Sequence, residues 1–149
     1  MKRERRRARG IALQVLYEVD TAGHPAEEVI AHHLERNPNL SENSIEFVRR
    51  LVFGTHQAAP QIDDWIAECA PEWPVEELAV LDRNILRIAL WEFVVADETP
   101  LKIAINEAVE LAKRFGSDSA PRFINGVLGT LAGKEQELRR HVQTASHLP

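Results

Sequence analysis

The sequence predicts an all-α protein of about seven helices. Apolar residues recur at helical spacing in every segment, and no segment shows the period-2 alternation of a half-buried strand. Pro, Gly and Asn clusters cut the chain into pieces of helix length. With 149 residues, 44% hydrophobic and 28% charged, the chain can form one globular domain or two small subdomains sharing a core. No apolar run approaches the roughly 18 residues of a membrane span, and the basic start is followed by no uninterrupted signal-peptide core, so the protein is expected to stay in the cytoplasm.

From about Arg3 to Val19, residues Ala8, Ile11, Ala12, Val15, Leu16 and Val19 draw one buried stripe, and Thr21-Ala22-Gly23 ends the helix. A second helix starts at Pro25, carries Val29, Ile30 and Leu34, and stops at Asn37-Pro38-Asn39. Asn43 with Glu46 has the spacing of a capping box and opens a third, bearing Ile45, Val48, Leu51 and Val52, which Pro60 is expected to interrupt. A fourth uses Ile62, Trp65, Ile66 and Cys69. The Pro71 to Pro74 segment then makes the best subdomain boundary, separating residues 3–70 from 75–132.

Residues 75–95 read as the central, buried helix, with Leu78, Leu81, Ile85, Leu86, Ile88, Ala89, Leu90 and Phe93 spread around it. After the Asp97 to Pro100 turn, Lys102 to Phe115 points Ala104, Ala108, Leu111, Ala112 and Phe115 inward. Pro121 to Leu131 buries Ile124, Val127, Leu128 and Leu131, and its Gly126 is expected to let a neighbouring backbone come close, since an interior glycine otherwise costs up to about 1 kcal/mol. A folded domain over 1–132 is thus followed by a polar tail, 133–149.

The chemistry of catalysis is missing. The six histidines fall into no metal-ligand spacing, and no phosphate loop, nucleophile elbow or paired-carboxylate site is visible, so neither an enzyme, a cofactor nor a metal is expected. Acid pairs such as Asp63-Asp64 read as solvent-facing. The single Cys69 excludes an intramolecular disulfide and reads as a small buried hydrophobe.

Charge is more informative. The net charge is −5, yet six of the 18 basic residues and one of the 23 acidic ones lie in the first ten positions, leaving 12 against 22 in the other 139. A basic arm on an acidic body suits a local anion such as nucleic acid better than a membrane surface, which the body would repel. Arginines at a helix N-terminus oppose the helix dipole at a cost of a few tenths of a kcal/mol or more each, which a purely solvated helix start has little reason to bear. Arg5, Arg6, Arg7 and Arg9 could hold phosphates. Tyr17, eleven residues after Arg6 and so within about 20° of its azimuth, either offers a ring to a base or sits at the core edge with a wet hydroxyl. Arg122-Phe123 could be a second such pair, or Phe123 could simply pack.

Arg5-Arg6-Arg7-Ala8-Arg9 with Gln14, Leu16 and Tyr17, the run Leu86 to Glu92, the run Lys102 to Gly116, and Phe123-Ile124-Asn125-Gly126-Val127-Leu128 together resemble the NusB family of transcription antitermination factors. The likeness spans about residues 3 to 131 in order and spacing. It implies two small helical bundles packed across each other and no catalysis. It also implies binding of a single-stranded boxA RNA element with the ribosomal protein NusE, and joint action with NusA, NusG and RNA polymerase on ribosomal RNA operons in a bacterial cytoplasm. By position it assigns Arg5, Arg6, Arg7, Arg9, Tyr17, Arg87, Arg122 and Phe123 to RNA, and Glu76 and Asp82 to NusE. Ala120, between Ser119 and Pro121, stands where the family tends to have Ser, so the cap of that helix is expected to shift by one residue, which puts its local RNA contacts in question. Gly129, where the family tends to have Asp, and a Pro71 to Pro74 segment richer in proline do not touch the basic arm.

Two alternatives stay open: a helical protein-interaction module that never binds RNA, and the RNA-binding domain of a ribosomal RNA cytosine methyltransferase. The arm also lies on an amphipathic helix that could pair with itself in a homodimer.

Overall fold

A computed structural model describes residues 2–69, 71–72 and 75–146, with the side chains of residue 69 and residues 141–146 excepted. Among the described residues there are seven α-helices and no strand: α1 (Lys2–Ala22), α2 (Ala26–Glu35), α3 (Glu42–Cys69), α4 (Val80–Leu90), α5 (Leu101–Phe115), α6 (Ala120–Ala132) and α7 (Glu135–Ser146). The expectations for the Cys69 thiol, for His141 and His147, and for Trp73 and Pro74 lie outside the described residues. The chain divides into two compact units, Met1–Gln57 and Ala58–Pro149. The division falls within α3, one turn before Pro60, and the Pro71–Glu72 turn belongs to the second unit.

In the first unit, α1 ends as its glycine dictates. Gly23 adopts φ +69° and its N–H donates to the Val19 carbonyl at 3.1 Å, a left-handed cap that other residues enter only at a cost. The α1 stripe Ala8, Ile11, Ala12, Val15 and Leu16 is buried, as are Val29 and Ile30 of α2 and Phe47, Val48, Leu51 and Val52 of α3. Each such Val, Ile, Leu or Phe contributes roughly 1.5–3 kcal/mol by leaving water. The cap of α3 is Ser41, two residues earlier than the Asn43 of the expected capping box: the Ser44 N–H donates to Ser41 Oγ at 3.2 Å, and the Ser41 hydroxyl donates to Ser44 Oγ at 3.1 Å. Once Ser41 satisfies that orphan donor, Asn43 already lies inside the first turn.

Where a break is expected at Pro60, α3 runs on through it. The proline removes one donor, but Pro60 and His56, whose carbonyl would have accepted, are both exposed, so water can take the bond. The buried positions Leu51, Thr55, Ile62 and Ile66 stay in helical phase across the proline.

In the second unit the expected 75–95 helix is three pieces. Val75–Glu77 is a 3₁₀ turn, Ala79 is extended at ψ 139°, α4 follows, and Trp91–Val95 is a π-turn in which the Ala96 N–H reaches the Trp91 carbonyl at 2.8 Å. The wider turn displaces the backbone bonds that follow. The Glu98 and Thr99 N–H groups donate to the Glu92 carbonyl at 3.2 and 3.4 Å, and the Thr99 hydroxyl donates to the buried Glu92 carboxylate at 2.9 Å. Arg139 of α7 donates to the Phe93 carbonyl at 3.2 Å and to Asp97 Oδ1 at 3.0 Å, where Asp97 holds φ +54°. The segment read from sequence as a polar tail therefore contains a docked helix, anchored by Arg139 and by the fully buried Leu138.

Two glycines separate cleanly. A Cβ on Gly116 would stand 2.6 Å from the Ala120 Cβ and 2.9 Å from the Ala112 carbonyl oxygen, so the α5–α6 corner needs the missing methyl. Gly126 is different from the expectation: nothing lies within 4 Å of a Cβ placed there, and the residue faces solvent, so no backbone approaches it. Gly116→Ala should therefore lower unfolding free energy by about 1–3 kcal/mol through overpacking. Gly126→Ala should raise it by roughly 0.5–1 kcal/mol through helix propensity. Urea melts read both as midpoint shifts at constant slope.

Candidate nucleic-acid interface

The basic arm is the first two turns of α1, and its arginines occupy distinct environments. Arg5 and Arg9, one helical turn apart, both lie over the Phe47 ring, with guanidinium carbons 4.4 and 5.3 Å from its centroid. Arg9 is buried in the process, whereas Arg5 stays exposed. Arg7, also exposed, donates to Asn37 Oδ1 at 3.0 Å, and Asn37 in turn donates to the His33 carbonyl at 2.7 Å. Its charge thus rests beside the C-terminal end of α2, where the helix dipole favours a cation. Arg6 is half-buried.

Tyr17 is 45% exposed, enough to offer one ring face. The row from Arg6 to Tyr17 is not open along its length, because Gly10 and Leu13, which share that azimuth, are buried. The exposed residues on the neighbouring side of α1 are Arg3, Arg7, Gln14 and Tyr17, within about 80° on a helical wheel, with the buried Gly10 between Arg7 and Gln14. Cations, an amide and an aromatic follow one another there.

Phe47 is the residue that the sequence reading missed. Its burial under two arginines orients the arm, yet in one sequence it is only one more apolar residue in α3. Together with Glu4, Arg5, Asn43, Ser44 and Glu46 it lines an open cleft of about 370 Å³ between the N-terminal ends of α1 and α3.

In the second unit, Arg87 is held by Asp63: Nε donates to Oδ1 at 2.9 Å and a terminal nitrogen to Oδ2 at 2.6 Å, while the other terminal nitrogen reaches Asn84 Oδ1 at 3.3 Å. Only 12% of its side chain is exposed. This bidentate pair also corrects the reading of Asp63 as a solvent-facing acid: Asp63 orders α4 against α3 within the unit. Arg122 is exposed in the first turn of α6 and Phe123 is half-buried, and Asn125, Gly126 and Gly129 continue the exposed side of the helix. Ser119 sits at the N-cap of α6 but makes no side-chain cap bond.

Glu76 is exposed in the 3₁₀ turn. Asp82, in the first turn of α4, is half-buried, and burial pushes its carboxyl above the ordinary aspartate range. Among the described residues no group of three metal-ligating side chains occurs, and no helix is long and apolar enough to cross a membrane.

A family model described as the NusB family matches residues 6–133. The transcription antitermination protein NusB of Roseiflexus sp. (strain RS-1) is 49% identical over 138 residues, spanning 91% of this chain and 96% of that protein. The structure of NusB from T. maritima superimposes with a TM-score of 0.78 at 29% identity, covering 90% of this chain and 95% of that one. A structure of NusB and NusE in complex with double-stranded RNA shares the fold, with a TM-score of 0.78 at 24% identity over 94% and 98% of the two chains. With a family match over most of its length and nearly half its residues shared with a curated NusB, the chain belongs to the NusB family.

Proposed function

We propose that the chain is a non-catalytic antitermination factor of the bacterial cytoplasm. In this reading it binds boxA single-stranded RNA together with NusE and acts within a larger complex of NusA, NusG and RNA polymerase on ribosomal RNA operons. The observation that carries the reading is that Arg3, Arg7, Gln14 and Tyr17 are all exposed on one side of α1, on an otherwise acidic chain. Guanidinium groups neutralise phosphates, and an exposed tyrosine ring stacks an unpaired base. The names borne by the relatives support the same role. A protein-interaction module without RNA and a methyltransferase domain find no comparable support.

Within this reading Arg5, Arg6 and Arg7 contact phosphates, Tyr17 a base, and Arg9 acts from below by holding Phe47. Arg122 with Phe123 forms a second patch on α6. Arg87 contributes to the fold through Asp63 and is placed outside the RNA-contacting set. Glu76 and Asp82 face NusE, a basic ribosomal protein. A homodimer formed through α1 would cover the same arginines and exclude RNA.

The test is fluorescence anisotropy of labelled boxA RNA, with a scrambled RNA at the same salt, with and without NusE. Selective binding that tightens with NusE is expected, and equal weak binding of both RNAs in its presence would refute the assignment. If about four arginines neutralise single-strand phosphates, the slope of log K against log salt should be near −2.8. Replacing Arg6 and Arg7 together with Ala should weaken binding at least about tenfold, or 1.4 kcal/mol, and make that slope shallower by about 1.4.

Asp82 gives a test of the partner side. Because burial raises its folded-state pKa, the folded protein takes up a proton more readily than the unfolded chain, and the charged form opposes folding at neutral pH. Asp82→Asn should therefore melt higher than the parent at pH 7, with the gap closing as pH falls through the folded-state pKa. Its affinity for NusE should fall at neutral pH, since the carboxylate that suits a basic partner is gone. Thermal melts across pH and a NusE titration read the two effects separately.

A further inference from the structure

The cleft between the N-terminal ends of α1 and α3 has a composition that phosphate binding does not explain. Its lining includes two carboxylates, Glu4 and Glu46, two guanidinium groups, Arg5 and Arg50, and the neutral Asn43 and Ser44. A phosphate pocket would be basic throughout, and a site for a lysine or arginine side chain would be acidic. Balanced charges around about 370 Å³ suit a neutral ligand that carries both donors and acceptors on its rim.

The floor specifies a flat one. Phe47, 7% exposed, lies beneath the Arg5 guanidinium, whose carbon is 4.4 Å from the ring centroid. Arg5 also lines the cleft, and bases stack on guanidinium planes held in this manner. Asn43 and Glu46 are three residues apart on α3 and so stand on one side of the helix. Ser44, 5% exposed, accepts the Ser41 hydroxyl, which leaves its own O–H to donate.

We propose that this cleft holds one guanine of the bound single-stranded RNA, its ring on Arg5 and its Watson–Crick edge on Glu46. Guanine presents two adjacent donors, N1–H and N2–H, that match the two oxygens of a carboxylate, and an O6 acceptor for Ser44 or the Asn43 amide. Adenine, uracil and cytosine lack that donor pair. The assignment rests on the RNA reading of α1 and adds which base this part of the surface selects.

The test uses the full chain with saturating NusE and labelled nine-nucleotide oligouridylates carrying a central guanosine, inosine, adenosine or uridine. The guanosine oligomer should bind about tenfold tighter than the adenosine one, with inosine, which lacks N2–H, in between. Glu46→Ala should reduce the guanosine preference to less than about twofold while leaving or raising affinity for plain oligouridylate. Arg5→Lys keeps the charge, and with it the salt dependence, but loses the planar surface and with it the preference. Melting curves identify any variant that fails to fold, in which case the other decides. Equal binding of all four oligomers by the parent, or an undiminished preference in a folded Glu46→Ala, overturns the guanine assignment and leaves RNA binding in place. No saturable binding of any oligomer overturns both.

Discussion

The packing of Arg5 and Arg9 against Phe47 is the interaction on which the functional surface depends. Arginines on the first turns of an isolated helix would repel one another, oppose the helix dipole and fray. Here two of them are drawn onto one aromatic face of α3, at 4.4 and 5.3 Å. A cation over a ring is worth about 0.5–1 kcal/mol at an exposed site and more when desolvated, and Arg9 is buried. The Arg7 bond to Asn37 fixes the arm to the end of α2 as well. The arm is thus ordered before any ligand arrives, which lowers the entropy cost of binding.

The distribution of charge follows the same logic. With 12 basic against 22 acidic residues beyond position ten, the body repels an extended polyanion and leaves α1 as the attractive part. Several cations of the body are occupied locally: Arg87 by Asp63, Arg49 by Glu27 at 2.9 Å, and Arg139 by Asp97 and Glu135. The exposed Arg49 pair adds little to stability. The Arg139 contacts matter through geometry, because they take up a carbonyl near the π-turn and seat α7.

Most of the helices were legible because their apolar spacing repeats cleanly: the stripes of α1, α5 and α6 lie where periodicity puts them. The failures have local causes. Pro60 reads as a stop in any propensity argument, yet the phase of Leu51, Thr55, Ile62 and Ile66 carries α3 past it. The central helix looked continuous because apolar residues recur around most of its circumference from Leu78 to Phe93, and a π-turn has no sequence period of its own. α7 looked like tail because its sequence is mostly polar; among its described side chains Leu138 and Arg139 anchor it. Gly126 looked structural, although only geometry shows that its side of α6 is open.

The site was legible in its charge and less so in its arrangement. Arg5, Arg6, Arg7 and Arg9 are equivalent letters in a run, and nothing in the run distinguishes the buried Arg9 from its exposed neighbours. The α1 wheel placed Tyr17 with Arg6, but Arg6 is half-buried and Leu13 buried, whereas Arg3, Arg7 and Gln14 are exposed. That Arg87 is held by Asp63 is visible only in the structure.

The central claim is that α1 and the start of α3 form a preordered RNA-gripping surface. The most direct measurement is the amide and arginine side-chain NMR spectrum of the isotope-labelled chain, titrated with short single-stranded RNA. The account predicts that shifts concentrate at residues 3–17 and 43–50, and that Arg5 and Arg9 side-chain signals are already dispersed without RNA. Shifts confined to other helices, or averaged arginine signals that sharpen into single positions only on binding, would contradict it.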